Sequence, residues 1–405
     1  MKHACAVLST LALCVAPRAA RAEWPGLESV IERAKVRALV VSDAQGQLGV
    51  ARASRTGAEA LWIGNPYLEV QTYYTPITRE LAFQSQLFLP LEINGQRPAR
   101  LREADALAQW KSSTRDEARA RATAVAVAWY GETLVARARL DVATKAEADA
   151  RSEADLYSAR LQAGDATAVD ESLAEAELAR YSQARAEAGV ALMTARAELA
   201  TLLAQDDLGD PPQGADPPPP RARSADAFVA RVLEVSPALR SLGLEARYWD
   251  ASGERASRDK WTPISLIVNL GRNDAANMQV GGGLAWVFPV TQRNQGPVAV
   301  AEAASARATT LQGDTQRVLS QHARHTFEQL ETLRASLTAL DATGLPAQQK
   351  VVDATTSAYR AGKLEFVRVL QARRDLAATL GRRLDLVTQL WHRYAELTAL
   401  AGELP

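Results

Sequence analysis

The sequence predicts a mainly α-helical fold with a β-barrel part, and three observations predict it. Long stretches rich in alanine, arginine, glutamate and leucine carry heptad stripes, as long helices do. Short segments alternate apolar and polar residues, as half-buried strands do. The whole pattern occurs twice, the mark of a repeat architecture. The expected fold is a duplicated set of long α-helical hairpins (an α-barrel or coiled coil) plus four transmembrane β-strands per chain.

The chain opens on an address. Lys2 supplies a positive start, Ala4 to Val15 is apolar, and Ala20-Arg21-Ala22 offers a cleavage site before Glu23. Residues 1–22 therefore read as a secretory signal peptide. The only two cysteines, Cys5 and Cys14, lie inside it, so the mature chain relies on no disulfide. Cys14 is also weighed as a lipidation site, with Leu11 three residues before it, but Leu13 is bulky where a small residue is wanted. No later stretch has the ~20 consecutive apolar residues of a membrane helix, so any membrane entry must be made by strands.

The duplication is visible at an offset of 199 residues: Trp62 with Trp261, Pro90 with Pro289, Gln96 with Gln295, Pro98 with Pro297 and Glu103 with Glu302. Gly164 and Gly362 follow at 198. Residues 23–205 form the first repeat and 225–405 the second. Between them lies a linker over residues 206–224, where the run Pro217 to Pro220 forbids a helix and favours an extended chain. Each repeat begins with a helix, about residues 27–60 and 226–257.

Two strands follow in each repeat, about residues 66–75 and 80–90, then 263–271 and 278–290. Leu68 and Val70, Phe83 and Leu87, Leu266 and Val268, and Leu284 and Trp286 recur at the period of two that gives each strand one apolar face. Aromatic residues cluster within these segments, as the interfacial girdles of membrane barrels require. A soluble four-stranded sheet whose apolar face packs on the helices is the competing arrangement. In lipid an open edge leaves backbone groups unpaired, so a barrel must close. The smallest bacterial barrels have about eight strands, so two or more chains must contribute.

Two long helices complete each repeat. About residues 98–162 and 165–205 form one hairpin, and about 297–361 and 364–402 the other. Heptad seams run from Leu178 to Leu202 and from Leu376 to Ala401, broken by Arg185 and Arg383. Gly344 and Pro346 predict a kink or break near Leu345. The hairpin tips centre on Gly164 and Gly362, each free to adopt the left-handed conformation that stops a helix. Arg160, Gly164, Asp165, Arg360, Gly362 and Lys363 are the tip residues expected to meet a partner. Asp165, Asp170 and Glu365 are candidate acids at a tunnel mouth, where a carboxylate ring favours cations; solvated helix-end charge is the plainer role, and Asp165 also suits an N-cap.

These residues carry a resemblance that spans the mature chain. Ser236-Pro237-Ala238-Leu239, Trp261-Thr262-Pro263-Ile264-Ser265-Leu266, Gly283 through Val290, and the tip from Arg160 to Asp165 continuing to Leu178 occur in an order similar to the TolC-like outer-membrane efflux proteins. The resemblance implies a homotrimer with a twelve-stranded barrel in the cell outer membrane and a helical tunnel in the periplasm. It implies a passive duct, the outer-membrane channel of a tripartite efflux system, docking through its tips onto a periplasmic adaptor and an inner-membrane pump. The turn Arg293-Asn294-Gln295-Gly296 looks most like the branch serving heavy-metal and other cation pumps. The first repeat departs in having Val36-Arg37-Ala38 where the second has Ser-Pro-Ala.

Other functions find less support. The chain has 47 basic and 47 acidic residues, so it lacks the basic excess of nucleic-acid binders. His322 and His325, with Glu328 one turn on, fall short of a usual metal set; His392 reads as a helix-surface residue. Gly281-Gly282-Gly283 lacks the lysine and helix start of a phosphate loop, and no nucleophile elbow occurs. No enzyme, cofactor or bound metal is expected. A soluble periplasmic coiled-coil scaffold or adaptor is the remaining alternative.

Overall fold

The computed structural model describes residues 24–62, 64–77, 79–273 and 277–405. The leader read at residues 1–22, with Cys5 and Cys14, lies outside the described residues. The first repeat consists of α1 (Leu27–Arg37), α2 (Leu39–Ala58), β1 (Tyr67–Thr75), β2 (Glu80–Leu91), α3 (Gln96–Ala163) and α4 (Ala168–Leu203). The second consists of α5 (Ala225–Val235), α6 (Pro237–Asp259), β3 (Ile264–Arg272), β4 (Met278–Ala285), α7 (Gln295–Ala339), α8 (Leu345–Arg360) and α9 (Phe366–Ala401).

The single helix expected at the head of each repeat is two. Ser236 breaks the second because the residue before a proline is driven out of the helical region, and Pro237 restarts it where its missing N–H costs nothing. Ala38 makes the same break (φ −59°, ψ 135°) without a proline. The counterpart of Ser236-Pro237-Ala238 is thus Ala38-Leu39-Val40, two residues later than the sequence alignment put it. Packing supplies the cause: α1 buries Val30, Ile31 and Ala34 in the main core, whereas α2 buries Val41 and Ala44 against Ala118 and Ala122 in a separate cluster.

Helix α3 runs 68 residues, a rise of roughly 100 Å at about 1.5 Å per residue. Its counterpart is interrupted by a π-turn, Leu340–Gly344, and α8 resumes at Leu345 with Pro346 in its first turn. The expected kink near Leu345 is therefore a widened turn in a continuous helical path. Pro346 has no N–H to donate to the turn before it, and within that turn Thr343 Oγ1 donates to the Ala339 carbonyl at 2.7 Å. The arginines that interrupt the heptad seams are cross-links between helices. Arg185 meets Glu147 at 3.2 Å, and Arg383 reaches Asp341 at 2.8 Å and Asp216 at 3.0 Å.

The main core lies at the middle of the hairpins, where Val127, Leu199, Val232, Leu330, Leu390 and Trp391 converge. The proline-rich linker is fastened over it. Leu208 and Ala215 are buried, Trp391 Nε1 donates to the Ala215 carbonyl at 2.6 Å, and Arg221 N–H donates to the Pro405 carbonyl at 2.7 Å.

The strands form one antiparallel sheet in the order β1-β2-β3-β4. The pairing of β2 with β3 joins the two repeats, with Leu87 opposite both Leu68 and Val268. Strand β4 ends at Ala285, short of the expected Val290, so Trp286 lies outside the ladder. Ser265 pairs with Ala285; continuing that register sets Val287 against Pro263, which has no N–H to give. Thr262 Oγ1 donates to the Val287 carbonyl instead, at 2.8 Å.

Candidate functional site

The register sorts the strand residues onto two faces. Leu68, Val70, Phe83, Leu87, Leu266, Val268, Val280 and Leu284 share one; Glu69, Gln71, Gln84, Gln86, Asn269 and Gln279 share the other. Among the described residues the apolar face is largely open: Leu68 is 64% exposed, Val280 79% and Leu284 72%, and no buried hydrophobic cluster includes a strand residue. A soluble sheet packed on its helices would bury this face, so that arrangement is excluded. An exposed apolar surface of this extent marks an interaction site. Its aromatics sit at the two ends of the sheet. Tyr74 lies at the far end of β1, whereas Trp261, Trp286 and Phe288 cluster near the helices with ring centroids 5.8 Å and 4.4 Å apart. Strands of eight to twelve residues bracket the ~9–11 that cross a bilayer at a tilt. Among the described residues no helix is long and apolar enough to cross a membrane. Among the described residues the outer edges of β1 and β4 have no partner strand.

The sheet is tied to the helices by a buried ion pair, Arg100 with Glu92 at 2.5 Å, and Arg100 Nη2 also donates to the Ala60 carbonyl at 3.1 Å. Arginine holds two acceptors at once because its guanidinium presents a rigid fork of donors.

At the opposite end the two hairpin tips are built alike. Asp165 N–H donates to the Arg160 carbonyl and Lys363 N–H to the Ala358 carbonyl, with Gly164 and Gly362 both at positive φ. These six-to-one bonds satisfy the last helical carbonyls. Helix α4 is capped by Thr167, not by Asp165: the Asp170 N–H donates to Thr167 Oγ1, and the Thr167 N–H to Asp170 Oδ2. Asp170 is thereby held in a reciprocal capping box. Asp165, Arg360, Lys363 and Glu365 stay exposed. Glu365 takes the cap position of α9 without a side-chain bond.

A group that the sequence reading missed links the tips. Tyr157, Phe366, Val369 and Leu370 are buried together, Tyr157 bonds the Tyr359 hydroxyl, and Arg160 Nη1 donates to that hydroxyl at 2.7 Å. Above it, Arg373 pairs with Glu153 at 2.5 Å and Arg374 with the buried Glu177. Burial pushes the Glu153 carboxyl up from its ordinary value against the pull of Arg373. Glu153, Glu177, Leu370 and Arg373 border a groove of 660 Å³ between the hairpins. The aromatics in an alanine-rich helix near each tip glycine were the available signal.

His322 Nε2 meets Glu396 Oε1 at 2.5 Å, and His325 lies 4.0 Å from Glu328. No group of three or more metal-ligating residues occurs among the described residues.

Comparison with known proteins supports one family. Residues 238–403 match the family described as outer membrane efflux protein. The cobalt-zinc-cadmium resistance protein CzcC of Cupriavidus metallidurans is 27% identical over 324 residues, spanning 78% of this chain and 76% of that protein. A membrane protein from Pseudomonas aeruginosa has a similar fold, with TM-score 0.76, 18% identity and coverage of 95% and 92% of the two chains. The CmeC outer membrane channel of Campylobacter jejuni gives TM-score 0.72, 14% identity and coverage of 93% and 86%.

Proposed function

We propose that this chain, which belongs to the TolC-like outer membrane efflux protein family, works as a homotrimeric duct exporting divalent metal cations from the periplasm. It is an outer-membrane channel component, not an enzyme. The observation that carries the reading is the apolar sheet face that, among the described residues, joins no hydrophobic core. Four strands with two open edges cannot remain in hydrocarbon alone. Three copies would supply twelve strands and close the barrel.

The hairpins continue this wall away from the membrane. Their tips, with Arg160, Gly164, Asp165, Arg360, Gly362 and Lys363, are the proposed docking points for a periplasmic adaptor, which in turn serves an inner-membrane pump. The pump supplies the energy, and the chain supplies a path. Exposed Asp165 and Glu365 would line the mouth and favour cations; Asp170 contributes charge from within its cap. The cargo assignment draws on the likeness to a cobalt-zinc-cadmium resistance protein and on the turn Arg293-Asn294-Gln295-Gly296.

Restoring the chain to a cell lacking its own outer-membrane efflux channels, alongside a cation pump and adaptor, tests the proposal. Tolerance to zinc or cadmium is expected to return, and to drop when Asp165 and Glu365 are both changed to amides. Recovery of the protein from the soluble periplasm, with no gain in tolerance, would contradict it.

A further inference from the structure

Beyond the leader the sequence has three histidines, and all three lie on two neighbouring helices. His322 and His325 are on α7 and His392 is on α9. Helix α9 packs on both α3 and α7. One side of this layer is covered by α1, α5 and the linker, with Leu208, Phe228, Phe327 and Trp391 buried between them. The histidines flank the other side. His392 and Glu396, one turn apart on α9, fall opposite the buried Leu390 and Tyr394. The covering layer holds the linker and both ends of the described chain, for which only the outside of a tube has room. In the duct the bare side therefore faces the passage.

We propose that His322 and Glu396 bridge α7 and α9 as a site where a zinc-like divalent cation pauses on the wall of that passage. This rests on the duct and cargo reading above and names residues that would meet the cargo. His322 Nε2 lies 2.5 Å from Glu396 Oε1. Arg393 Nη1 donates to the other carboxylate oxygen, Oε2, at 2.5 Å and so fixes the direction of Oε1. Hydrogen bonds of this kind, made behind a ligand, orient it for a metal. Imidazole nitrogen and carboxylate oxygen each hold zinc at about 2.0–2.2 Å, so an ion taken between them needs roughly 3 Å between the two atoms. The side chains must part slightly, and with 46% and 28% of their surfaces exposed they have room to. The ring accepts the ion at Nε2 with its proton on Nδ1.

The other two histidines repeat the pairing more loosely. His392 Nε2 lies 3.8 Å from Glu132 Oε2 on α3, and His325 Nδ1 lies 4.0 Å from Glu328 Oε2. The three pairs make a row across α3, α9 and α7. Beside His322 a hollow of 590 Å³, bordered by Val318, Gln321 and His325, gives a hydrated ion room to approach. Two protein ligands are fewer than the four of a structural zinc site, so water completes the shell and the ion is held weakly. Weak holding suits cargo, because conduction needs binding strong enough to admit an ion and weak enough to release it. The imidazole selects zinc or cadmium over magnesium, which demands an octahedron of oxygens.

The test is binding of zinc chloride to the purified full chain in detergent, read by competition with a chromophoric zinc indicator and by zinc X-ray absorption. Helical content and oligomer mass are checked for each variant. The unaltered chain should bind zinc with an imidazole in the shell, and excess magnesium should not displace it. Loss of a partner behind a ligand already weakens metal sites by about 10–100-fold, so loss of a ligand in His322→Gln or Glu396→Gln should weaken binding by at least about tenfold. His322→Gln should also remove the imidazole signal. His325→Gln should change the affinity less. No zinc binding, or binding that both substitutions leave unchanged, overturns the site and leaves the duct standing. An equal loss from His325→Gln places the ion on α7 alone and overturns the bridge. Zinc binding as expected in a chain that restores no metal tolerance counts against the cargo reading and not against the site.

Discussion

Gly131 is the position where one added carbon would cost most. A Cβ there would lie 2.2 Å from the Trp391 ring, which is itself buried and holds the linker through its indole N–H. Gly131→Ala should destabilise the chain by about 1–3 kcal/mol, the usual cost of overpacking. Denaturant midpoints would show it, and the cost should shrink in a Trp391→Leu background because the two sites touch. Glu153 gives a second prediction, about pH. Burial raises its folded pKa above the unfolded value. The folded state then takes up the proton first, so this group's contribution improves as pH falls from neutral through the carboxylate range and is least favourable above it. Glu153→Gln should flatten that part of the melting-temperature profile. A slope identical to that of the unaltered chain would refute the assignment. Neither residue was legible beforehand. Gly131 is a single glycine in the alanine-rich stretch of α3 with no local mark of its neighbour, and the Glu153–Arg373 contact joins two hairpins whose relative placement no periodicity encodes.

At the scale of elements, local chemistry was legible and shared boundaries were not. The tip glycines, the period-two strands and the heptad seams appear where their patterns put them, because each depends on neighbours within a few residues. The end of β4 was misplaced because it depends on Pro263 in another strand. The cap of α4 was given to Asp165 although Thr167 and Asp170 satisfy both donors reciprocally. The break at Ala38 has no local signal at all, and follows from α1 and α2 entering different clusters. The sheet faces, whose relation to lipid alternation alone left open, yield a direct test. Val268 lies mid-strand on the apolar face, and Asn269 beside it on the polar face. Val268→Arg should cost about 2–4 kcal/mol in lipid and deplete the outer-membrane fraction, whereas Asn269→Arg should be tolerated. Equal loss from both would contradict the orientation.

The molecule as a whole is half of an arrangement repeated. Duplication gives each copy a seam between its repeats, α3 on α6. It also gives four strands with two open edges and an apolar face awaiting lipid. The helices below end in tips joined through Tyr157, Tyr359 and Arg160. The central claim is that these parts make a conducting path. Single-channel conductance in a planar bilayer tests it most directly, on the purified protein and on a Tyr359→Phe, Arg373→Glu variant with loosened tips, with oligomer mass measured in the same detergent. The account predicts discrete ion-conducting steps from a trimer, with longer openings in the variant. A monomer, or a trimeric variant that inserts and stays silent, would contradict it.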